Sequence, residues 1–151
     1  MNTLVIAGTA SNLLSQLLKI NILKNNGAEI MVINNAKKYI KEYHYFCGLD
    51  YFNGIFNNKT GKLEEYEIIF HDSPTLDKRI LPNCGLSLSA GINYGIHKGF
   101  NKIILAGQDF INSGHCDGTP GSFQPKQIRG ITKFVNEARN YLEIIDLNNK
   151  L

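Results

Sequence analysis

The apolar positions of this chain change their spacing several times, and each change marks an element. Leu4 to Ala7 is a short run without polar interruption, as expected of a strand covered on both faces. After Gly8-Thr9-Ala10-Ser11-Asn12 the spacing of Leu13, Leu14, Leu17, Leu18 and Ile22 is helical, with Ser11 or Asn12 placed to cap the first turn. Gly27 stops that helix, and Glu29 to Ile33 returns to strand character before Asn34-Asn35 and a short segment from Ala36. Tyr43 to Gly48 predicts a third strand, on whose partly exposed face His44 has no chemical role. From Phe52 to Glu65, turn formers come one after another (Asn53-Gly54, Asn57-Asn58, Thr60-Gly61), which predicts a surface excursion or a small hairpin. Tyr66 to Phe70 predicts a fourth strand, ending in His71-Asp72-Ser73-Pro74.

The second half repeats the theme. Leu88, Ile92 and Ile96 recur every four residues and set one face of a helix, while Ser87, Gly91 and Gly95 share that spacing on a second stripe. Two glycines inside a helix cost about 1 kcal/mol each relative to alanine, so the stripe implies close packing against a sheet or a ligand. Lys98 and Gly99 form a stop signal, and Ile103 to Ala106 is a buried strand that ends in Gly107-Gln108-Asp109. The segment INSGHCDGTPGSFQP, about 15 residues long, exceeds most connections in compact domains and points to an active-site or lid role. Lys126 to Leu142 predicts a last helix and Glu143 to Asp146 a last strand.

Strands and helices in this alternation predict a single α/β domain over residues 1–151, an open, mostly parallel sheet with helices on both faces. Such sheets bind ligands outside the carboxyl ends of their strands, near the point where strand order reverses. That rule gathers Gly8, Thr9, Ser11, Asn12, Asn34, Asn35, Asp50, His71, Asp72, Gln108 and Asp109 at one edge. A strand, a glycine turn and a helix N-terminus would offer backbone N–H groups to a phosphate. The same loop also reads as a plain β–α turn with a capping residue. Asn34 and Asn35 either read a ribose, base or phosphate or only cap the short segment from Ala36.

Composition narrows the classes. The formal charge of +3 on 151 residues is too mild and too dispersed for a nucleic-acid footprint, but it suits an anionic small molecule. Three cysteines, Cys47, Cys84 and Cys116, lack the spacing of a zinc site or a disulfide scaffold and suit a reducing interior. The start MNTLVIAG lacks the cationic region of a signal peptide and the length of a membrane span, so a cytoplasmic, non-membrane protein is expected.

Five blocks carry a resemblance: AGTASNL after the first strand, INN after the second, Leu-Asp near the third, FHDSP after the fourth, and SAGINYGIHKGFNKIILAGQDF. Together they resemble the Rossmann-like fold of the glycosyltransferase family 42 sialyltransferases and the motility-accessory-factor glycosyltransferases, and that of the archaeal 6-hydroxymethyl-dihydropterin pyrophosphokinases. The last block is the specific one. The resemblance implies that Gly8, Ser11 and Asn12 hold the phosphate of a nucleotide donor, that Asn34 reaches its ribose or phosphate, that Ser89 to Gly91 line the nucleotide side, and that Asp109 marks the pocket floor. Thr9-Ala10 departs from the Gly-Pro of those families, and the lid-like segment that carries the sialyltransferases' base and tyrosines has no equivalent here.

Two chemistries are open to these residues. In a transferase, His115 of SGHCDG would take the proton of an acceptor hydroxyl, because histidine is the side-chain type that titrates near neutrality, with Asp117 orienting it or serving only as a turn residue. In a pyrophosphokinase, Asp72 and Asp109 would hold magnesium against the donor phosphates. The expected function is a nucleotide-dependent transferase using a nucleotide-activated sugar and needing no cofactor; the alternatives are a protein that binds a nucleotide without turning it over, and a magnesium-dependent pyrophosphokinase. A homo-oligomer is expected to complete the pocket wall.

Overall fold

The strand-to-helix alternation is realised as β1 (Thr3–Ala7), α1 (Leu13–Asn25), β2 (Glu29–Ile33), a 3-10 turn (Asn34–Lys38), β3 (Tyr45–Cys47), β4 (Gly54–Asn57), β5 (Lys62–Glu65), α2 (Ser87–His97), β6 (Lys102–Ala106), α3 (Pro125–Ala138) and β7 (Glu143–Asp146). These elements belong to a computed structural model that describes residues 2–48, 54–65, 87–108, 114–121 and 125–148. The expected strand Tyr66 to Phe70 and the site candidates Asp50, His71, Asp72 and Asp109 lie outside the described residues.

The strands form one sheet in the order β5-β4-β3-β2-β1-β6-β7. β1 pairs in parallel with β2 and β6, β2 with β3, and β6 with β7, whereas β3–β4 and β4–β5 are antiparallel. The sheet is therefore mixed. The polar stretch after Phe52 forms the small hairpin expected of it, β4–β5, and that hairpin extends the sheet beyond β3. The parallel part runs outward from β1 to β3 on one side and from β6 to β7 on the other, so strand order reverses between β1 and β6.

Alternation along the strands sorts the core into two layers. Leu4, Ile6, Met31, Ile103 and Leu105 face α2 and α3, while Val5, Ala7, Ile30, Val32, Ile104 and Ala106 face α1 and the 3-10 turn. The small-residue stripe of α2 serves the sheet: a methyl group on Gly91 would come within 2.9 Å of Met31 Sδ and 3.4 Å of Ile6 Cδ1, and one on Gly95 within 2.9 Å of Ile103 Cδ1. Ser89 is fully buried on the same helix. Gly91 is thus a packing position beneath the rim, not the lining of a nucleotide pocket that the resemblance implies.

Two helices differ from expectation. α3 stops at Ala138 rather than Leu142, because Tyr141 N turns back to Ala138 O at 2.9 Å and Leu142 is buried as the chain enters β7. On α1 only Leu13, Gln16 and Ile20 are buried, whereas Leu14, Leu18 and Ile22 remain 50%, 71% and 51% exposed.

Candidate functional site

β1 and β6 end side by side. Gly8 N donates to Ala106 O at 2.9 Å and Ala10 N to Gly107 O at 2.9 Å, which carries the pairing past the last strand residues. The approach is so close that a methyl group on Gly8 would fall 2.8 Å from Gly107 O and inside contact with Gln108 Nε2. Gly107 has φ of +61°, a conformation side chains resist, and a methyl group there would overlap Gly8 O. Glycine is required on both sides of the junction.

From beneath, α1 supplies an anchor. Gln16 is buried, and its Oε1 accepts the Gly107 N–H at 2.7 Å. A polar residue stands at a core-facing helical position because the turn after β6 leaves one donor without a strand partner. Strand-end reasoning passes over Gln16; its signal in the sequence is the spacing Leu13–Gln16–Ile20, a lone amide on an apolar face.

From above, the segment 114–121 is laced to the turn that follows β1. Ser11 N donates to Gly114 O at 3.0 Å, Cys116 N to Thr9 O at 2.9 Å and His115 N to Thr119 O at 2.8 Å, and Ala10 and His115 form an antiparallel bridge. The His115 ring joins this lacing through Nδ1, 3.2 Å from Thr9 Oγ1. Asp117 accepts from Thr119 Oγ1 at 2.7 Å and from Thr119 N at 2.9 Å, bonds that hold its carboxyl below the ordinary range, and His115 and Lys38 add to that effect. Asp117 is therefore a turn-forming residue. Cys116 packs on the α1 side next to Tyr39, whose hydroxyl is pushed up by its hydrogen bond to the thiol.

Asn12 occupies the N-cap position of α1 but makes no cap bond with its side chain; its amide donates to Gln108 O at 3.2 Å, where Asn148 also donates at 3.4 Å. At the end of β2, Asn34 takes φ of +48°, which asparagine tolerates better than most residues, and donates to Ser87 Oγ at 3.3 Å. Asn35 is exposed on the 3-10 turn.

The structure thus brings Gly8, Thr9, Ser11, Asn12, Gln108 and His115 into one bonded cluster, ties Asn34 to the start of α2, and leaves Ser89 and Gly91 in the core. The expected phosphate cradle is corrected here. The N–H groups of Gly8, Ala10 and Ser11 are bonded to residues 106–114, so they do not stand open to an anion. What the rim retains is side-chain capacity: Asn12 Oδ1, Asn34 Oδ1 and Gln108 Nε2 are buried without a hydrogen-bond partner among the described residues. Two acceptors and a donor held in this way each cost folding free energy of about 1–3 kcal/mol until something meets them. No described helix is long and apolar enough to cross a membrane.

Neither protein-family models, nor curated proteins, nor solved structures match this chain.

Proposed function

We propose that this chain is a nucleotide-dependent transferase of the Rossmann-like kind, a small glycosyltransferase that uses a nucleotide-activated sugar. The observation that carries the reading is the bonded cluster at the β1–β6 junction, where strand order reverses and where open α/β sheets bind their ligands. In the reaction, the acceptor oxygen forms the new bond to the sugar carbon as the bond from that carbon to the donor phosphate breaks. His115 is the proton acceptor for the attacking hydroxyl. Its Nδ1 is held by Thr9 Oγ1, which fixes the ring, and Nε2 is the nitrogen assigned to take the proton. The departing nucleotide carries away negative charge; with the N–H groups of Gly8, Ala10 and Ser11 already bonded, it is the dipole of α1, which starts directly after Asn12, that acts on this charge. Asn12, Asn34 and Gln108 supply neutral hydrogen bonds to base, ribose or sugar hydroxyls.

Incubation with CMP- and UDP-sugars tests this directly. Donor hydrolysis with at least one sugar nucleotide, reduced by about 10²–10⁴ in His115→Ala, is the expected result. Absence of both hydrolysis and any thermal shift across the donor set would remove the proposal.

A second reading has its own support. The segment around His115 is laced to β1 through main-chain bonds, so the Thr9–His115 contact also serves to pin a loop. In that case the domain binds a nucleotide and releases it intact, and His115→Ala leaves the affinity unchanged. In the magnesium-dependent pyrophosphokinase reading both carboxylates, Asp72 and Asp109, lie outside the described residues.

A further inference from the structure

The histidine just before β3 meets β2 with both its main chain and its ring. His44 N donates to Ile30 O at 2.8 Å, and Ile30 N donates in return to Nδ1 of the His44 ring at 3.0 Å. A main-chain N–H only donates, so Nδ1 presents a lone pair and the neutral ring carries its proton on Nε2. The ring thus does the work of a neighbouring strand's carbonyl, closing the β2–β3 ladder just ahead of its first strand pair, Met31 with Tyr45. On its other side His44 O accepts from Asn58 N at 2.9 Å, in the turn between β4 and β5. One residue ties the parallel part of the sheet to β3 and to the hairpin.

A proton added to this ring takes Nδ1, the atom that holds Ile30, and leaves two N–H groups facing each other. Ile30 is fully buried, so water does not replace the lost acceptor while the strands stay together. Solvent does reach the ring itself: His44 is partly exposed and lines a cleft of about 450 Å³ with Lys24, Gly27, Ala28, Lys41, Glu42 and Tyr43. Among the described residues, the charged and titratable groups around it are Lys24 of α1, Glu29 of β2, Lys41, Glu42 and Tyr43 on the approach to β3, Tyr45 of β3, and Lys59 of the hairpin turn. Glu29 and Glu42 favour a charge on the ring, and the three lysines oppose it. Glu29 is already bonded to Lys59 and Tyr45, and Glu42 to Lys24, so neither carboxylate stands ready to replace Ile30 as the ring's partner.

We propose that His44 is an acid-released latch between β2 and the β3–β5 part of the sheet: neutral, it holds the two together; protonated, it lets go. Imidazole is the side-chain type that titrates between about pH 5 and 8, and the unfolded chain has no such bond for a proton to break, so the junction weakens as pH falls across that interval. What opens is the outer, antiparallel part of the sheet, while the pairing of β1 with β2 and β6 is untouched. The proposal does not depend on the rim being catalytic.

Residue-resolved amide exchange of the full chain tests the latch, with imidazole nitrogen chemical shifts reporting on the ring. At about pH 7.5 the His44 ring should show the Nε2–H tautomer. Between about pH 7.5 and 5 the protection of the Ile30 N–H, corrected for intrinsic exchange, should fall at least about tenfold, while that of Ile104 in the inner strands stays level. His44→Asn keeps an acceptor oxygen close to the place of Nδ1 but does not titrate, and it should hold Ile30 at both pH values. His44→Ala should leave Ile30 weakly protected at both. A ring that carries its proton on Nδ1 at neutral pH, an Ile30 protection indifferent to pH or to His44→Ala, an equal loss at Ile104, or a His44→Asn chain that responds like the native one would each overturn the proposal.

Discussion

The rim where β1 and β6 end and the edge formed by the β4–β5 hairpin are both polar, in opposite ways. At the hairpin edge the charges are matched. Glu29 accepts from Tyr45 Oη at 2.5 Å and from Lys59 Nζ at 2.8 Å, and Glu64 accepts from Lys98 at 2.7 Å. Lys59 and Lys98 also lie 5.4 Å from the ring centres of Tyr45 and Tyr94, covering aromatic faces with their charge. The two atoms left without a well-formed bond there, Glu64 Oε2 and the Tyr94 hydroxyl, act on each other: burial first, then Glu64, pushes Tyr94 far above its ordinary value. At the rim the described groups are amides, hydroxyls and an imidazole, and three of their atoms find no partner among the described residues. The hairpin edge spends its charges on the fold, whereas the rim keeps neutral hydrogen-bonding atoms unspent among the described residues.

The largest effect that would break this contrast is chemical. His115→Ala should lower donor turnover by about 10²–10⁴, whereas Lys59→Ala, at the hairpin edge, should leave turnover unchanged; an equal loss in both would erase the distinction. Next comes the junction itself. Gly107→Ala should destabilise the protein by about 3 kcal/mol in urea unfolding, since it imposes a strained φ and an overlap with Gly8 O together. Gln16→Ala should cost about 1–3 kcal/mol, because it leaves the Gly107 N–H buried without an acceptor.

The smallest effect belongs to the hairpin edge and depends on pH. Burial raises the Glu29 carboxyl, but its bonds to Lys59 and Tyr45 outweigh this and hold it below its ordinary value of 4.5. In the window between the folded and unfolded values the unfolded chain binds more protons, so this stabilisation is complete above the ordinary value and is lost as pH falls through the lower one. The side chain of Lys59 is 47% exposed, so the contribution should stay below about 1 kcal/mol. Thermal melts of Glu29→Gln between neutral pH and pH 3 should accordingly show a shallower acid decline than those of the native chain, and parallel curves would show that Glu29 does not contribute.

Much of the framework is legible in the sequence because it is local. Ile103 to Ala106 reads as a buried strand from composition alone, and Glu29 to Ile33 and Glu143 to Asp146 need nothing more. What no local pattern carries is which strands become neighbours. The turn formers around Asn57 and Thr60 announce a hairpin, yet nothing in them says that Ile55 will pair with Cys47 and lengthen the sheet. The site divides in the same way. The strand-end rule finds Thr9, Asn12 and Gln108, since each lies just beyond a recognisable apolar run, and the length of the loop points to His115. Neither signal foresees that the Gly107 and Gly114 carbonyls take the N–H groups of Ala10 and Ser11, because that competition is decided between segments about 100 positions apart. Leu142 misleads for a related reason: its burial mimics helical spacing although the backbone has already left the helix.

The turn over the rim owes its path chiefly to main-chain bonds. Ser11 to Gly114, Cys116 to Thr9, His115 to Thr119 and Gly118 to His115 are all backbone pairs. Side chains exposed along that turn, such as Pro120, are therefore free to vary while the loop keeps its course. Randomised libraries confined to such positions would change the surface chemistry over the rim on an unchanged chassis, and an evolving lineage could do the same one codon at a time.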